Sequence, residues 1–253
     1  MTGTSNIWTA KGGADTGPLL VLIHGLGANA TVWDNLINEV SANWSGGWMS
    51  VDMRGHGRSG HPGRYSVGDY AADIAALIPA DREIALLGHS LGGVVALALA
   101  SGLYGLTIRS CTAVGIKTNW PEEDFARAAH LAAQAPKLFD TEEAAIDRYL
   151  KVAGLFGLVE PTSESAKVGI TLQGSAYRLA SDPKTNGVTP LDFAGLAALA
   201  RCPVHFLCGD KDPVATPAGM ESLGYPVTLL PGGGHYPFVV DPAGFWTAIQ
   251  DRL

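Results

Sequence analysis

Ser90 is the residue whose neighbours best prepare it for chemistry. It stands in Gly88-His89-Ser90-Leu91-Gly92, between Glu83-Ile84-Ala85-Leu86-Leu87 and Gly93-Val94-Val95-Ala96-Leu97-Ala98-Leu99-Ala100. The first run is compact and apolar and reads as a buried strand. The second is apolar and rich in alanine and reads as a buried helix. A serine on a sharp turn from strand to helix is a nucleophile elbow. The turn holds Ser90 in a strained backbone conformation, and the residues two positions away must be small so that strand and helix can approach. The hydroxyl then points up from the sheet at the positive end of a helix. Without these flanks, Gly-x-Ser-x-Gly would be an ordinary glycine-rich turn.

A serine hydroxyl is a poor nucleophile at neutral pH. It needs a base within hydrogen-bond reach, and an acid that fixes the base's tautomer and stabilises its cation. The chain has seven histidines. His235 alone follows the last predicted strand in a glycine-rich loop, Pro231-Gly232-Gly233-Gly234-His235. His24, His56 and His89 lie in turn motifs and read as backbone braces. His205 lies inside a strand-like run and reads as a buried, hydrogen-bonded residue. His61 and His130 fall in a turn and a helical stretch. For the acid, Gly209-Asp210-Lys211-Asp212-Pro213 offers both Asp210 and Asp212 just past a strand.

The elements that must position these groups follow from hydrophobic pattern. Ile7-Trp8-Thr9-Ala10 reads as an edge strand. Leu19–Ile23 is a continuous apolar run, as expected for a strand buried on both faces of a parallel sheet. Trp48–Met53, Glu83–Leu87, Ile108–Val114, Pro203–Cys208 and Pro226–Leu230 read as further strands. Helical segments begin at Thr31, Ser66, Gly93 and Asp241. This alternation is that of an α/β protein with a mostly parallel sheet. Between about Trp120 and Ala180 the strand signal stops. Amphipathic stretches begin at Pro121 and Thr141, and a third helix is expected from about Ser163 to Leu179. Asp182–Gly187 closes the block with a turn.

Taken together, the chain resembles an α/β-hydrolase with a helical cap. The residues that carry the resemblance are His24-Gly25, Asp52-Met53-Arg54-Gly55-His56-Gly57-Arg58-Ser59, the elbow around Ser90, Gly209-Asp210-Lys211-Asp212-Pro213 and Gly234-His235. The resemblance implies an α/β-hydrolase fold, with a mostly parallel central sheet flanked by helices. The core would comprise residues 1–117 and 190–253, with a cap inserted at 118–189. The family's chain order is nucleophile, acid, histidine, and its Gly-x-x-Asp pattern selects Asp212. Some members carry the acid one strand earlier, but the loop after Val114 has none before Glu122. The implied triad is Ser90, Asp212 and His235. The implied oxyanion donors are the backbone N–H groups of Leu26 and Leu91, and such a donor is worth about 3–4 kcal/mol of barrier. The Arg54 loop is expected to be scaffolding.

Trp33, Trp120, Phe125, Tyr177, Tyr236 and Phe238 are the candidates for lining the substrate pocket, with core packing as the competing role for each. The reaction expected first is hydrolysis of a small carboxylic ester, lactone or thioester through an acyl-enzyme, without metal or cofactor. The alternative is carbon–carbon cleavage of the meta-cleavage-product type. Members with that activity often have Asn where His89 stands and use arginines for a substrate carboxylate, and the cap holds only Arg127, Arg148 and Arg178. An alternative of another class is a slow-turnover ligand-binding receptor.

Bulk properties bound the partners. Net charge is −7 with no basic cluster, which argues against nucleic acid and leaves a small molecule as the expected partner. No apolar run reaches the roughly 18 residues of a membrane span. The polar start Met1–Asn6 lacks the basic and apolar regions of an export signal, so a cytoplasmic protein is expected. Cys111, Cys202 and Cys208 have no metal-ligand spacing and read as small buried hydrophobes in a reducing compartment. Nothing in the motifs assigns an oligomeric state.

Overall fold

The computed structural model describes residues 6–253. Residues 1–5, which carry most of the polar start read as lacking an export signal, lie outside the described residues. The first half of the chain runs β1 (Thr9–Gly13), β2 (Leu19–Ile23), α1 (Asp34–Asn43), β3 (Gly47–Val51), α2 (Val67–Ala75), β4 (Glu83–His89), α3 (Leu91–Ala100) and β5 (Thr107–Val114). The middle holds α4 (Glu122–Ala132), α5 (Glu142–Val152), α6 (Glu164–Val168), β6 (Ile170–Gln173) and β7 (Ala176–Leu179). The last part holds α7 (Phe193–Ala198), β8 (Val204–Gly209), α8 (Pro217–Glu221), β9 (Val227–Leu230), α9 (Pro237–Val240) and α10 (Pro242–Ile249).

Seven strands form one sheet in the order β1-β3-β2-β4-β5-β8-β9. Every neighbouring pair is parallel except β1 with β3. The edge strand begins at Thr9, later than Ile7, and ends at Gly12-Gly13. The central strands are apolar throughout because successive side chains feed opposite layers. Val21, Ile23, Ile84 and Leu86 pack under α2 and α3, while Leu20, Leu22, Ala85 and Leu87 pack against α1 and α10. Helix ends follow local chemistry: Ser66 and Asp69 form a reciprocal capping box at α2, and Thr141 caps α5.

The cap is the block inserted between β5 and β8. Helices α4 and α5 begin where their acidic first turns predict. The third helix does not run to Leu179: α6 stops at Val168, and the chain continues as the antiparallel hairpin β6–β7, turning at Gly174-Ser175. Gly169 caps the end of α6. It packs against the ring of Tyr149, where a Cβ would collide with the aromatic atoms. The short helices α7, α8 and α9 carry too few turns for their periodicity to stand out in sequence. His205, expected to be buried and hydrogen-bonded, is half-buried in β8, and its ring has no hydrogen-bond partner among the described residues. Cys111 and Cys208 are buried and Cys202 is partly buried, all three as free thiols.

Candidate active site

The elbow has the geometry its residues demand. Ser90 has φ 50° and ψ −117°, and it is the only non-glycine with positive φ among the described residues. Holding a side chain there costs about 1–3 kcal/mol, so the surroundings must over-determine it. They do so through close packing. A Cβ on Gly88 would run into the backbone of Gly92, and one on Gly92 into the carbonyl of Ile23. The Ser90 amide donates to the Val114 carbonyl at 2.8 Å, tying the turn to the end of β5.

His235 and Asp212 meet directly. His235 Nδ1 donates to Asp212 Oδ2 at 2.8 Å. The other carboxylate oxygen, Oδ1, accepts from the amides of Val214 at 2.7 Å and Ala215 at 2.9 Å. Asp212 is thus buried and fully bonded, and Nε2 of His235 is the nitrogen left free. Asp210, its rival in sequence, is exposed. Ser90 and His235 border one cavity. The Ser90 hydroxyl makes no side-chain hydrogen bond among the described residues, and in unliganded hydrolases this contact often tightens only when substrate binds.

His89 links the two loops. Its Nε2 donates to the His235 carbonyl at 2.8 Å, and the two rings meet edge to face with centroids 4.5 Å apart. A carbonyl can only accept, so Nε2 carries the hydrogen and Nδ1 holds a lone pair. That Nδ1 is buried without a partner among the described residues. Burial, and then the neighbouring His235, hold the His89 imidazole far below its ordinary pKa, so it is neutral.

The other motif loops brace the ends of the strands. His24 Nδ1 donates to the Gly25 carbonyl at 2.7 Å, and His24 Nε2 accepts from the Met53 amide at 3.0 Å. Asp52 accepts from the Ala30 amide at 2.7 Å and from Arg58 Nε at 2.7 Å, and Arg58 stacks over Trp8. Burial raises the Asp52 carboxyl, but Arg58, His24 and two backbone amides outweigh it and hold the group below its ordinary range. Arg54 reaches Asp73 through two bonds of 2.6 Å. These contacts fix the loop that carries Gly25 and Leu26. Leu91 opens α3, so its amide has no acceptor within the helix. The Leu26 amide donates to no acceptor among the described residues. Both leucines border the cavity beside Ser90.

The cavity has a volume of about 600 Å³ and lies between sheet and cap. Of the six aromatic candidates, Trp120 and Tyr236 border it. Trp33 and Phe238 do not. They are fully buried and stack on each other with centroids 4.1 Å apart, beneath α10. Phe125 packs behind Trp120, and Tyr177 is spent on the cap hairpin, exchanging two backbone bonds of 2.8 Å with Phe139. Sequence reasoning missed Tyr65, Tyr70, Lys117, Val188, Leu191 and Phe193, all of which border the cavity. Tyr65 precedes α2 and Tyr70 lies in its first turns, and nothing in the pattern tells which face looks up to the cap. Among the described residues no group of three or more His, Cys, Asp or Glu side chains converges as metal ligands, and no helix is long and apolar enough to cross a membrane.

Comparison with known proteins agrees with this fold. Residues 20–248 fit the alpha/beta hydrolase family. The 2-(acetamidomethylene)succinate hydrolase of Mesorhizobium japonicum is 28% identical over 250 residues, covering 90% of this chain and 84% of its own. A crystal structure of E-2-(acetamidomethylene)succinate hydrolase superposes with a TM-score of 0.81 at 25% identity, over 99% of this chain and 96% of the other. The pimeloyl-(acyl-carrier protein) methyl ester esterase of Yersinia enterocolitica is 29% identical over 247 residues, covering 92% of each chain. With a capped parallel sheet and a strained serine at its centre, the chain belongs to the alpha/beta hydrolase family.

Proposed function

We propose that this hydrolase works through Ser90, His235 and Asp212, cleaving a small substrate at a carbonyl carbon. The observation that carries the reading is the strained Ser90 at the strand–helix turn, bordering the same cavity as a histidine already bonded to a buried carboxylate. Ser90 Oγ attacks the carbonyl and its proton passes to His235 Nε2. Asp212 holds the ring in the tautomer that can accept it. The oxyanion is received by the amides of Leu26 and Leu91. As the intermediate collapses, His235 returns the proton to the leaving group. Water then repeats the sequence on the acyl-enzyme and frees Ser90.

Two bond types remain in view. The likeness to the 2-(acetamidomethylene)succinate hydrolase, whose substrate name contains no ester, supports the non-ester alternative more than the plain carboxylic ester. If a carbon–carbon bond is cut, the leaving carbon must depart as an enolate, so a second carbonyl has to lie beside it. The likeness to the methyl ester esterase supports ester cleavage as the second reading. The cap, taken as residues 118–189, is the unit that would choose between them.

The test is turnover of p-nitrophenyl acetate, p-nitrophenyl butyrate and a meta-cleavage ketone by wild type and Ser90→Ala. Wild type should turn over at least one, and the variant should lose about 10⁴-fold or more in kcat. A variant that kept a tenth of the rate would overturn the nucleophile. A folded wild type inert to all three would favour the ligand-binding receptor instead.

A further inference from the structure

The charged side chains that border the cavity over Ser90 are lysines. Lys117 and Lys151 are the permanently charged residues that border it, and no aspartate or glutamate does. The chain as a whole carries a net charge of −7, so the bulk balance does not account for two ammonium groups in an otherwise largely apolar wall.

The two lysines differ. Lys151 lies near the end of α5, half exposed, and pairs one turn back with Asp147 at 2.8 Å. A surface pair of this kind fixes little. Lys117 is held on several sides. Its ammonium pairs with Asp124 of α4 and lies 4.6 Å from the centre of the Trp120 ring. Its carbonyl accepts from Trp120 Nε1 at 2.9 Å. The side chain keeps 27% of its surface exposed, so the ammonium is positioned but reachable.

Its place in the chain ties it to the reacting groups. Gly115, two residues earlier, lies against the histidine–aspartate pair: a Cβ built there would stand 3.3 Å from both Asp212 Oδ2 and His235 Nδ1. Two residues span at most about 7 Å of chain, so Lys117 is tethered close to where His235 would work. An ammonium has three donors, and one carboxylate does not exhaust them.

We propose that Lys117 binds an anionic group of the substrate, a carboxylate carried a few atoms from the scissile carbonyl. Asp124 pairs with the ammonium and yields to that carboxylate. The proposal rests on the serine-hydrolase reading above.

The test compares kcat/KM for matched charged and neutral esters. On the acyl side the pair is mono-p-nitrophenyl glutarate and p-nitrophenyl butyrate. On the leaving-group side it is 4-acetoxybenzoate and phenyl acetate. In one of the two arms Lys117→Met should lower the charged-to-neutral ratio by about tenfold or more, chiefly through KM. Asp124→Asn should raise the same ratio by about threefold, because it frees the ammonium. Ratios that Lys117→Met leaves unmoved in both arms overturn the proposal. So does a fall in both variants, which would mark the pair as a strut between core and cap. Ser90→Ala separates the two levels. If it abolishes turnover while the ratios stay flat, only the carboxylate site fails. If it does not, the underlying reading fails with it.

Discussion

The sheet core and the cap solve different problems with different kinds of residue. In the core, the proposed reacting groups are positioned by backbone. Ser90 sits on a forced turn, Leu91 offers an orphan helix amide, and Asp212 is oriented by the amides of Val214 and Ala215. In the cap, the cavity wall is made of side chains. Trp120, Lys151 and Val152 project from the cap, which packs Ile146, Tyr149 and Leu150 into the same apolar cluster as Trp33 and Phe238 and adds polar contacts to the core. Asn29 Nδ2 donates to the Tyr149 hydroxyl at 2.8 Å, Thr31 to Ser165 at 2.7 Å, and the Tyr236 hydroxyl to the Ala153 carbonyl at 2.6 Å. Backbone geometry tolerates no change, whereas side-chain walls can be exchanged one at a time. On the proposed reading, the chemistry belongs to the core and the choice of substrate to the cap.

Asp212→Asn is the strongest way to break that division. The amide has nearly the carboxylate's shape, and its oxygen can still accept from Val214 and Ala215. What changes is the bond to His235. An N–H now faces Nδ1, the ring takes the other tautomer, and Nε2 can no longer accept a proton. We expect kcat to fall by about 10⁴ with an unaltered thermal midpoint. If instead the variant unfolds, Asp212 is part of the frame, and the separation of catalysis from scaffold within the core is wrong.

Next in size comes a pair of glycines, one from each region. Gly92 touches the Ile23 carbonyl with no room for a methyl group. Gly174 turns the cap hairpin at φ +64° with no atom within 4 Å of its absent Cβ. Gly92→Ala must push strand and helix apart and should cost about 4 kcal/mol or more. Gly174→Ala meets only the intrinsic cost of the left-handed conformation, about 1–2 kcal/mol. Denaturant midpoints measure both. Equal losses would show that the cap is packed as tightly as the core.

The same contrast decides what could be read from sequence. Leu19–Ile23 and Glu83–Leu87 announced a sheet buried on both faces, because strands covered twice need apolar residues at every position. The elbow was legible because its glycines have a steric task. Asp210 and Asp212 stood two residues apart in one turn, and only the fold exposes one and buries the other. In the cap, Ile170-Thr171-Leu172-Gln173 alternates in polarity and runs into Gly174-Ser175, which is a hairpin signal. It was hidden behind the helical start at Ser163, and the block was read as one helix. The aromatics were harder. Trp33 and Trp120 are the same residue type, and which of them meets the cavity depends on a packing direction that no local pattern records. Lys117 had no signal at all, since a lone lysine after a strand is usually solvated.

Acid should find the core rather than the cap. His24, His56 and His89 are fully buried in the braces beneath the site, while the cap's His130 is exposed. Burial holds all three imidazoles below 6.5, and His56, which also faces His24, is pushed down to about 3. The unfolded chain binds a proton at each as the pH falls through about 6.5, and the folded core refuses it. Unfolding therefore gains free energy with every step of acidification below that value, until His56 titrates in place near 3. Asp52 adds to this at the low end. Its carboxyl is held below 3.8 when folded, so the stability it contributes above that value is lost beneath it. His56, held down to about 3, should cost about 2 kcal/mol of stability by pH 5, and His24 and His89 act in the same direction. The thermal midpoint should hold steady above pH 7 and fall continuously from 6.5 downward. A midpoint flat to pH 4 would mean that the histidines take up protons without leaving their places, and the core frame would then be as yielding as the wall above it.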